Sequence, residues 1–204
     1  MLPDMSTAPQ NTNTDALHDR AADDLRYIRS AMERAGAFTA VSGRGYILLG
    51  LSALVAAFFA ARTTTLSAWL TVWGAELLIA ATIAAITTTQ KARRMGMPLA
   101  GGSGRKLLLG FTPVMAAGGA LTFALLQADA RELLPGMWLA VYGAAVVAGG
   151  VYSIRPVPIL GASLLALGSL ALLVPSIPGD VALAVGFGGL HIVWGILIAR
   201  NHGG

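Results

Sequence analysis

Residues 46–57 read YILLGLSALVAA, and a similar pattern returns as KLLLGFTPVMAA at residues 106–117 and as VPILGASLLALG at residues 157–168. All three stretches are apolar almost throughout. Strands of a membrane barrel would alternate polar and apolar residues, whereas a helix that crosses a bilayer is apolar along its whole length. The three stretches therefore predict three membrane-spanning helices that begin alike.

The composition of the whole chain supports the same class. Of 204 residues, 55% are hydrophobic and 12% are charged, and the mean hydropathy is +0.69. A soluble domain carries about 25% charged residues, so this chain has too little charge to cover a globular surface, which argues against a water-soluble enzyme. The net charge of +4 fits basic membrane loops better than nucleic-acid binding. Since the chain has no cysteine, disulfides and Cys-based metal sites are excluded.

Six stretches have the roughly 20 apolar residues that a membrane helix needs. They lie at about 45–61, 66–89, 107–127, 133–154, 157–175 and 181–199. We therefore predict an all-α polytopic bundle of six transmembrane helices that occupies residues 37–204. The lipid bilayer is its first expected partner.

The basic residues predict the orientation of the bundle. If the N-terminus is cytoplasmic, twelve of the fourteen Lys and Arg residues lie on the inner side, and the outer loops keep only Arg62 and Arg131. Cytoplasmic loops carry such an excess of basic residues. We therefore expect a multi-pass protein with both termini in the cytoplasm and, because the first hydrophobic run starts only after about 44 residues, no N-terminal signal peptide to remove.

The six spans also suggest an internal repeat of three two-helix hairpins. The first helix of each hairpin has a glycine in register, at Gly50, Gly110 and Gly161. The second helices each carry an aromatic–glycine–small triplet: Trp73-Gly74-Ala75, Tyr142-Gly143-Ala144 and Phe187-Gly188-Gly189. A two-helix unit keeps its orientation when it is duplicated, so the repeats would be parallel and related by an axis along the membrane normal.

The residues before the first span predict two further segments. Residues 1–13 are polar and are expected to be disordered. Residues 14–36 show apolar residues at spacings of three and four, which predicts a cytoplasmic amphipathic helix with one narrow apolar stripe. That stripe would dock on the bundle, lie at the membrane surface or pair with a second copy, so a homo-oligomer stays open as a partner.

Two stretches resemble a known group of proteins. LRYIRSAMERAGAFTAVSGRG at residues 25–45 and GFGGLHIVWGILIARNHGG at residues 186–204 are similar to a family of uncharacterised six-span bacterial membrane proteins. The hairpin pattern resembles, more loosely, small six-helix bacterial acid-resistance membrane proteins. Both resemblances imply the six-span fold and a bacterial inner membrane, and neither implies a catalytic residue.

Only two side chains that titrate near neutral pH lie deep inside the spans, Glu76 and His191. Alignment of the repeats places them at nearly the same depth. An ionised carboxylate there is costly, so it must face the interior, find a partner or stay protonated. An imidazole partner would allow the pair to pass or sense a proton. The alternative is that Glu76 is a neutral acid bonded to a backbone carbonyl, with His191 satisfied separately.

These residues lead to the functional hypotheses. Around the proposed midplane site of Glu76 and His191, the side chains expected to line a cavity are Trp73, Thr82, Tyr142 and Trp194. We expect no catalytic residue, cofactor or metal site, because His191 is the only histidine within the spans and no metal-binding spacing is present. The chain would act in small-molecule or ion transport, or in a stress or pH response. The alternative is a non-catalytic subunit that packs against another membrane protein.

Overall fold

The structure is a computed structural model, and it describes residues 20, 24–25, 36–96 and 102–202. The chain divides into two compact units, Met1–Ala37 and Phe38–Gly204. The predicted tail at residues 1–13 and nearly all of the predicted helix at residues 14–36 lie outside the described residues. The fold given below is that of the second unit.

Six helices are long and apolar enough to cross a membrane, which confirms the predicted all-α, six-span class. They are α1 (Gly43–Ala60), α2 (Leu66–Arg94), α3 (Gly102–Gln127), α4 (Leu134–Gly150), α5 (Pro156–Leu173) and α6 (Gly179–His202). A short 3-10 turn at Arg131–Leu133 leads into α4. Helices α2 and α3 extend several residues beyond their predicted spans at the ends that face each other in sequence. An apolar run shows only the part of a helix that lies in the hydrocarbon. The helix itself continues beyond that run into polar residues.

Local sequence signals mark several helix ends. The Ser42 hydroxyl accepts a hydrogen bond from the Gly45 N–H at 3.2 Å, and the Thr65 hydroxyl accepts one from the Ala68 N–H at 3.2 Å. These caps satisfy backbone donors in the first turns of α1 and α2. Pro156 begins α5, where the missing N–H of a proline has no cost.

The helices pack as a ring with one open seam. Helix α1 packs against α2 and α6, α4 packs against α3 and α5, and α5 contacts α6. Over their described lengths, α2 and α3 make no comparable contact with each other. Among the described residues, the seam between α2 and α3 is therefore where neighbours in the ring pack least against each other.

Glycine pairs close two of the helix interfaces. Between α4 and α5, a Cβ on Gly161 would lie 2.8 Å from the Gly143 carbonyl oxygen, and a Cβ on Gly143 would lie 2.7 Å from that of Gly161. Between α1 and α6, a Cβ on Gly50 would lie 2.5 Å from the Gly188 carbonyl oxygen. Without a hydrophobic drive between helices in lipid, close backbone approach of this kind holds a bundle together. The predicted threefold repeat places these glycines at equivalent positions, but the repeat itself remains a prediction.

The third equivalent pair is different. The repeat aligns Gly74 of α2 and Gly110 of α3 with the pairs that close the other interfaces. Gly74 has no atom of the described residues within 4 Å of its Cβ position, and Gly110 packs instead against Ala148 of α4. The open seam therefore lies where a third glycine contact would be expected.

Polar contacts tie the elements together at each end of the bundle. At one end, Lys91 Nζ donates to the carbonyl oxygens of Val41 at 2.8 Å and His202 at 2.9 Å, and the Ser153 hydroxyl donates to the Phe38 carbonyl oxygen at 2.7 Å. At the other end, a different set joins the starts of α2, α4 and α6. Trp69 Nε1 donates to Asp180 Oδ1 at 2.7 Å, and its ring stacks on Trp138 at 5.2 Å.

Candidate functional site

A cavity of about 410 Å³ lies inside the ring, beside the open seam. Its wall consists of Leu49 from α1, five apolar residues and Glu76 from α2, four residues of α3, three of α4, and Phe187 and His191 of α6. Four of the six side chains expected from the sequence line it: Trp73, Glu76, Tyr142 and His191. The cavity thus joins residues from five helices.

Glu76 is the acidic group of the cavity wall. It lies on α2 and is buried, with 7% of its surface exposed. The Ser52 hydroxyl of α1 donates to Glu76 Oε1 at 2.8 Å and also lies 3.0 Å from the Leu49 carbonyl oxygen. No described residue bonds the second carboxyl oxygen, Oε2. Ser52 therefore fixes one side of the carboxyl group and leaves Oε2 without a hydrogen bond from any described residue.

His191 is also buried, and it has two partners of its own. Its Nδ1 lies 3.3 Å from the Gly186 carbonyl oxygen, and its Nε2 lies 3.2 Å from Tyr142 Oη. A carbonyl oxygen only accepts, so Nδ1 carries the hydrogen. A neutral imidazole then accepts at Nε2 from the Tyr142 hydroxyl. Both ring nitrogens are satisfied without a charge on the ring.

A π-helical segment explains how His191 reaches the Gly186 carbonyl. Residues Ala184–Leu190 of α6 form a π-helix, and His191 is the first residue after it. The wider turn brings residues five apart into hydrogen-bonding range, and such segments are frequent at functional sites. The run GFGGL at residues 186–190 contains three glycines, which oppose this distortion little because they have no side chains.

The two central residues lie at similar depth and do not bond to each other. Glu76 is ten residues into α2 and His191 is twelve residues into α6, so they lie about 15 Å and 18 Å from adjacent helix starts. Among the described residues, no hydrogen bond joins them. This arrangement corresponds to separately satisfied groups. The hydrogen-bond partner of Glu76 is the Ser52 side chain and not a backbone carbonyl, which was the expected alternative.

Aromatic rings surround the two polar groups. Tyr142 and Phe187 meet edge to face at 5.4 Å, and Trp73 lies 6.2 Å from Phe187. Trp138 lines the cavity as well, and its Nε1 donates to the Thr122 hydroxyl oxygen at 2.9 Å. Trp73 Nε1 is buried and has no hydrogen-bond partner among the described residues. The wall is therefore mainly apolar and aromatic.

The cavity opens through the seam between α2 and α3. Gly74 and Leu77 on α2 and Gly119 on α3 line the cavity and are exposed. Neither Gly74 nor Gly119 has an atom of the described residues within 4 Å of its Cβ position. Gly74 is eight residues from the start of α2 and Gly119 is eight residues from the end of α3, so both lie about 12 Å from the same end of the bundle.

Two expected lining residues lie elsewhere. Thr82 is exposed, and its hydroxyl donates to the Leu78 carbonyl oxygen of its own helix at 2.7 Å. Trp194 packs against the apolar core that includes Leu139 and Leu183, and it is not part of the cavity wall. Helical phase explains Thr82, which lies about 120° around α2 from Glu76. Trp194 is three residues after His191 and on the same side of α6, but its ring packs in the core and not in the cavity wall.

Several site residues were not anticipated. Ser52, Phe187 and Trp138 all contribute to the wall or orient it. Ser52 had a usable signal, since it is a hydroxyl two residues after the repeat glycine Gly50 in an otherwise apolar span. Among the described residues, no three His, Asp or Glu side chains come close enough together to bind a metal ion.

Comparison of the chain with family models, with curated proteins and with solved structures gives no match.

Proposed function

We propose that this protein binds a small, largely apolar molecule within the membrane and acts in its transport. The observation that carries the proposal is the cavity of about 410 Å³ that holds Glu76 and His191 in an otherwise apolar and aromatic wall. Ligand pockets have volumes of roughly 300–1,000 Å³ and combine apolar walls with a few convergent polar groups.

Packing alone is a poor explanation for this cavity. Protein interiors have few voids larger than a water molecule, since each void loses contacts between its lining atoms. Elsewhere in this bundle, glycine pairs bring the helices into backbone contact. The interface between α2 and α3 is open at the cavity that contains Glu76 and His191. A binding function would explain why the helix packing that is lost there is tolerated.

The open seam supports entry from the bilayer. The exposed wall residues Gly74, Leu77 and Gly119 lie about a third of the way along α2 and α3 from one end of the bundle, within the apolar part of both helices. A molecule dissolved in the hydrocarbon would reach Glu76 through the seam without crossing the polar loops. We further propose that the membrane is a bacterial inner membrane and that the resemblance of residues 25–45 and 186–204 reflects that origin.

Filling the seam tests the proposal. Gly119→Leu places a large side chain in the open space at the cavity wall. Ala120→Leu is the matched control, because Ala120 is the exposed neighbour on α3 and does not line the cavity. The probe is N-phenyl-1-naphthylamine, a neutral apolar fluorophore, and energy transfer from the tryptophans of the purified protein reports its binding.

We expect saturable binding to the wild-type chain and to Ala120→Leu. In Gly119→Leu the affinity should fall about tenfold or more, because the added side chain occupies the volume that the probe needs. Equal, non-saturable signals from all three proteins would mean that the probe dissolves only in the detergent or lipid, and the proposal would then be wrong.

The exposed glycines also favour a second candidate function. Gly74 and Gly119 would let another transmembrane helix approach the seam closely, as small residues do in membrane interfaces. In that case the chain is a subunit, and a partner helix fills the cavity. Cross-linking in native membranes distinguishes the two: a specific adduct that Gly119→Leu abolishes and Ala120→Leu retains, together with no probe binding, would favour the subunit.

A further inference from the structure

We infer that the molecule held in this cavity is an organic cation, with its charge beside Glu76 and its apolar part against the aromatic wall. This inference rests on the proposed function and specifies the class of ligand. Three independent properties of the wall lead to it: its charge, its hydrogen-bonding capacity and its rings.

The charge of the wall is one-sided. Among the described residues that line the cavity, Glu76 is the only acid, and none is Lys or Arg. The basic residues of the described chain lie towards the helix ends and in the loops, as Arg62, Lys91 and Arg131 illustrate. A carboxyl group in a low-dielectric space either stays protonated or is compensated by a positive charge. The protein does not supply that charge in the cavity, so the ionised form of Glu76 would be matched by a cationic ligand.

The hydrogen-bonding capacity of the wall is also one-sided. The Trp138 N–H donates to Thr122, the Thr122 hydroxyl donates to the Gly118 carbonyl oxygen, and the Tyr142 hydroxyl bonds to His191. The Trp73 N–H is buried and has no hydrogen-bond partner among the described residues, so it is shielded from a molecule in the cavity. Polar groups in the wall that donate hydrogen bonds are thus committed or shielded, whereas Glu76 Oε2 has acceptor capacity. The wall is suited to a positive or donating group and unsuited to an anion.

Aromatic side chains complete the site. Trp73, Trp138, Tyr142 and Phe187 all line the cavity. The face of an aromatic ring carries negative charge density and attracts cations, and quaternary ammonium groups are recognised by clusters of such rings. Rings also provide apolar surface for the rest of the molecule. A compact cation with one aromatic or aliphatic group matches both properties and the cavity volume.

A pair of isosteric probes tests the inference. Phenyltrimethylammonium and tert-butylbenzene have the same shape and differ in a single charge. Each is measured by its displacement of N-phenyl-1-naphthylamine from the purified protein. Glu76→Gln removes the charge and keeps an oxygen that can accept from Ser52. Asp129→Asn is the matched control, since it removes one acidic charge at an exposed position where φ is 53°, a conformation that asparagine tolerates well.

We compare the ratio of the two apparent affinities between protein variants. Differences in the folded fraction of each variant and in the partition of each probe into detergent or lipid cancel in that comparison. We expect the preference for the cation over its neutral isostere to fall about tenfold or more in Glu76→Gln and to stay unchanged in Asp129→Asn. Binding of tert-butylbenzene by Glu76→Gln shows that the cavity is still formed.

Two results would overturn the inference, and they have different meanings. If both isosteres displace the fluorophore and their ratio is the same in wild-type and Glu76→Gln, the cavity binds apolar molecules without regard to charge, and the proposed function stands without the cation. If the fluorophore itself does not bind to the wild-type chain, the proposed function falls and the inference falls with it.

Discussion

Glu76 and His191 line one cavity through separate hydrogen-bond networks. Glu76 is held by Ser52 of α1, and His191 is held by Tyr142 of α4 and the Gly186 carbonyl of its own helix. Removal of one residue therefore leaves the partners of the other intact. The two residues can act on the same molecule in the cavity without being coupled to each other.

Double-mutant cycles measure this separation. Glu76→Leu combined with Ser52→Ala should show a coupling free energy of about 0.5–3 kcal/mol in thermal unfolding, because the two groups bond directly. Glu76→Leu combined with His191→Leu should show a smaller coupling free energy, because no hydrogen bond among the described residues joins Glu76 and His191. Strong coupling in the second cycle would instead support the direct Glu76–His191 pair and the proton-linked hypothesis.

The sequence allowed the two central residues to be found, but it predicted their surroundings only in part. Glu76 and His191 stood out because ionisable groups inside spans are rare and costly. Thr82 was misplaced because lipid-facing and interior-facing sides of a membrane helix are almost equally apolar, so the sequence does not show which side points inward. Trp194 does lie on the interior side, and the sequence could not show that its ring packs in the core and not in the cavity wall. The π-helical segment that orients His191 has no sequence signal beyond its glycines.

At the level of helices, glycines decide which interfaces close. The α4–α5 and α1–α6 interfaces bring backbone to backbone at Gly143, Gly161, Gly50 and Gly188, and Gly74 at the seam meets nothing. Apolar length alone predicted the six helices and their approximate ends. It did not predict which helices are neighbours in the ring, because the predicted hairpins do not indicate which contact between hairpins stays open.

Alanine substitution should separate closed and open glycines. In Gly161→Ala the new methyl group would lie 2.8 Å from the Gly143 carbonyl oxygen, so the helices must shift, at a cost of about 1–3 kcal/mol. Gly74→Ala meets open space and should be neutral or stabilising by up to about 1 kcal/mol, because alanine favours the helix more than glycine. Thermal unfolding in detergent measures both. Similar losses in the two variants would contradict the open seam.

The whole molecule has two distinct ends. Phe38, Lys91, Ser153 and His202 meet at one end, and Trp69, Trp138 and Asp180 meet at the other. Among the described residues of the six-helix unit, most Lys and Arg residues lie towards the first end. If all six helices cross the membrane, the start of α1 and the end of α6 lie on the same side.

A topology reporter tests the sidedness of these ends. An enzyme that is active only in the cytoplasm should be active when fused after Gly204 and inactive when inserted between Thr63 and Thr64, in the loop before α2. A second reporter that is active only outside the cytoplasm should give the opposite result at both sites. Activity of that second reporter after Gly204 would contradict the predicted orientation.

The seam between α2 and α3 affects how a dissociation constant measured for this protein is interpreted, if the ligand enters from the bilayer. A molecule that arrives through hydrocarbon exchanges one apolar solvent for another, so burial of its apolar surface contributes little to binding, and the polar and aromatic contacts decide. Its concentration at the seam is set by how strongly it partitions into the bilayer. Two molecules with equal contacts in the cavity would then show aqueous dissociation constants that differ by the ratio of their membrane partition coefficients.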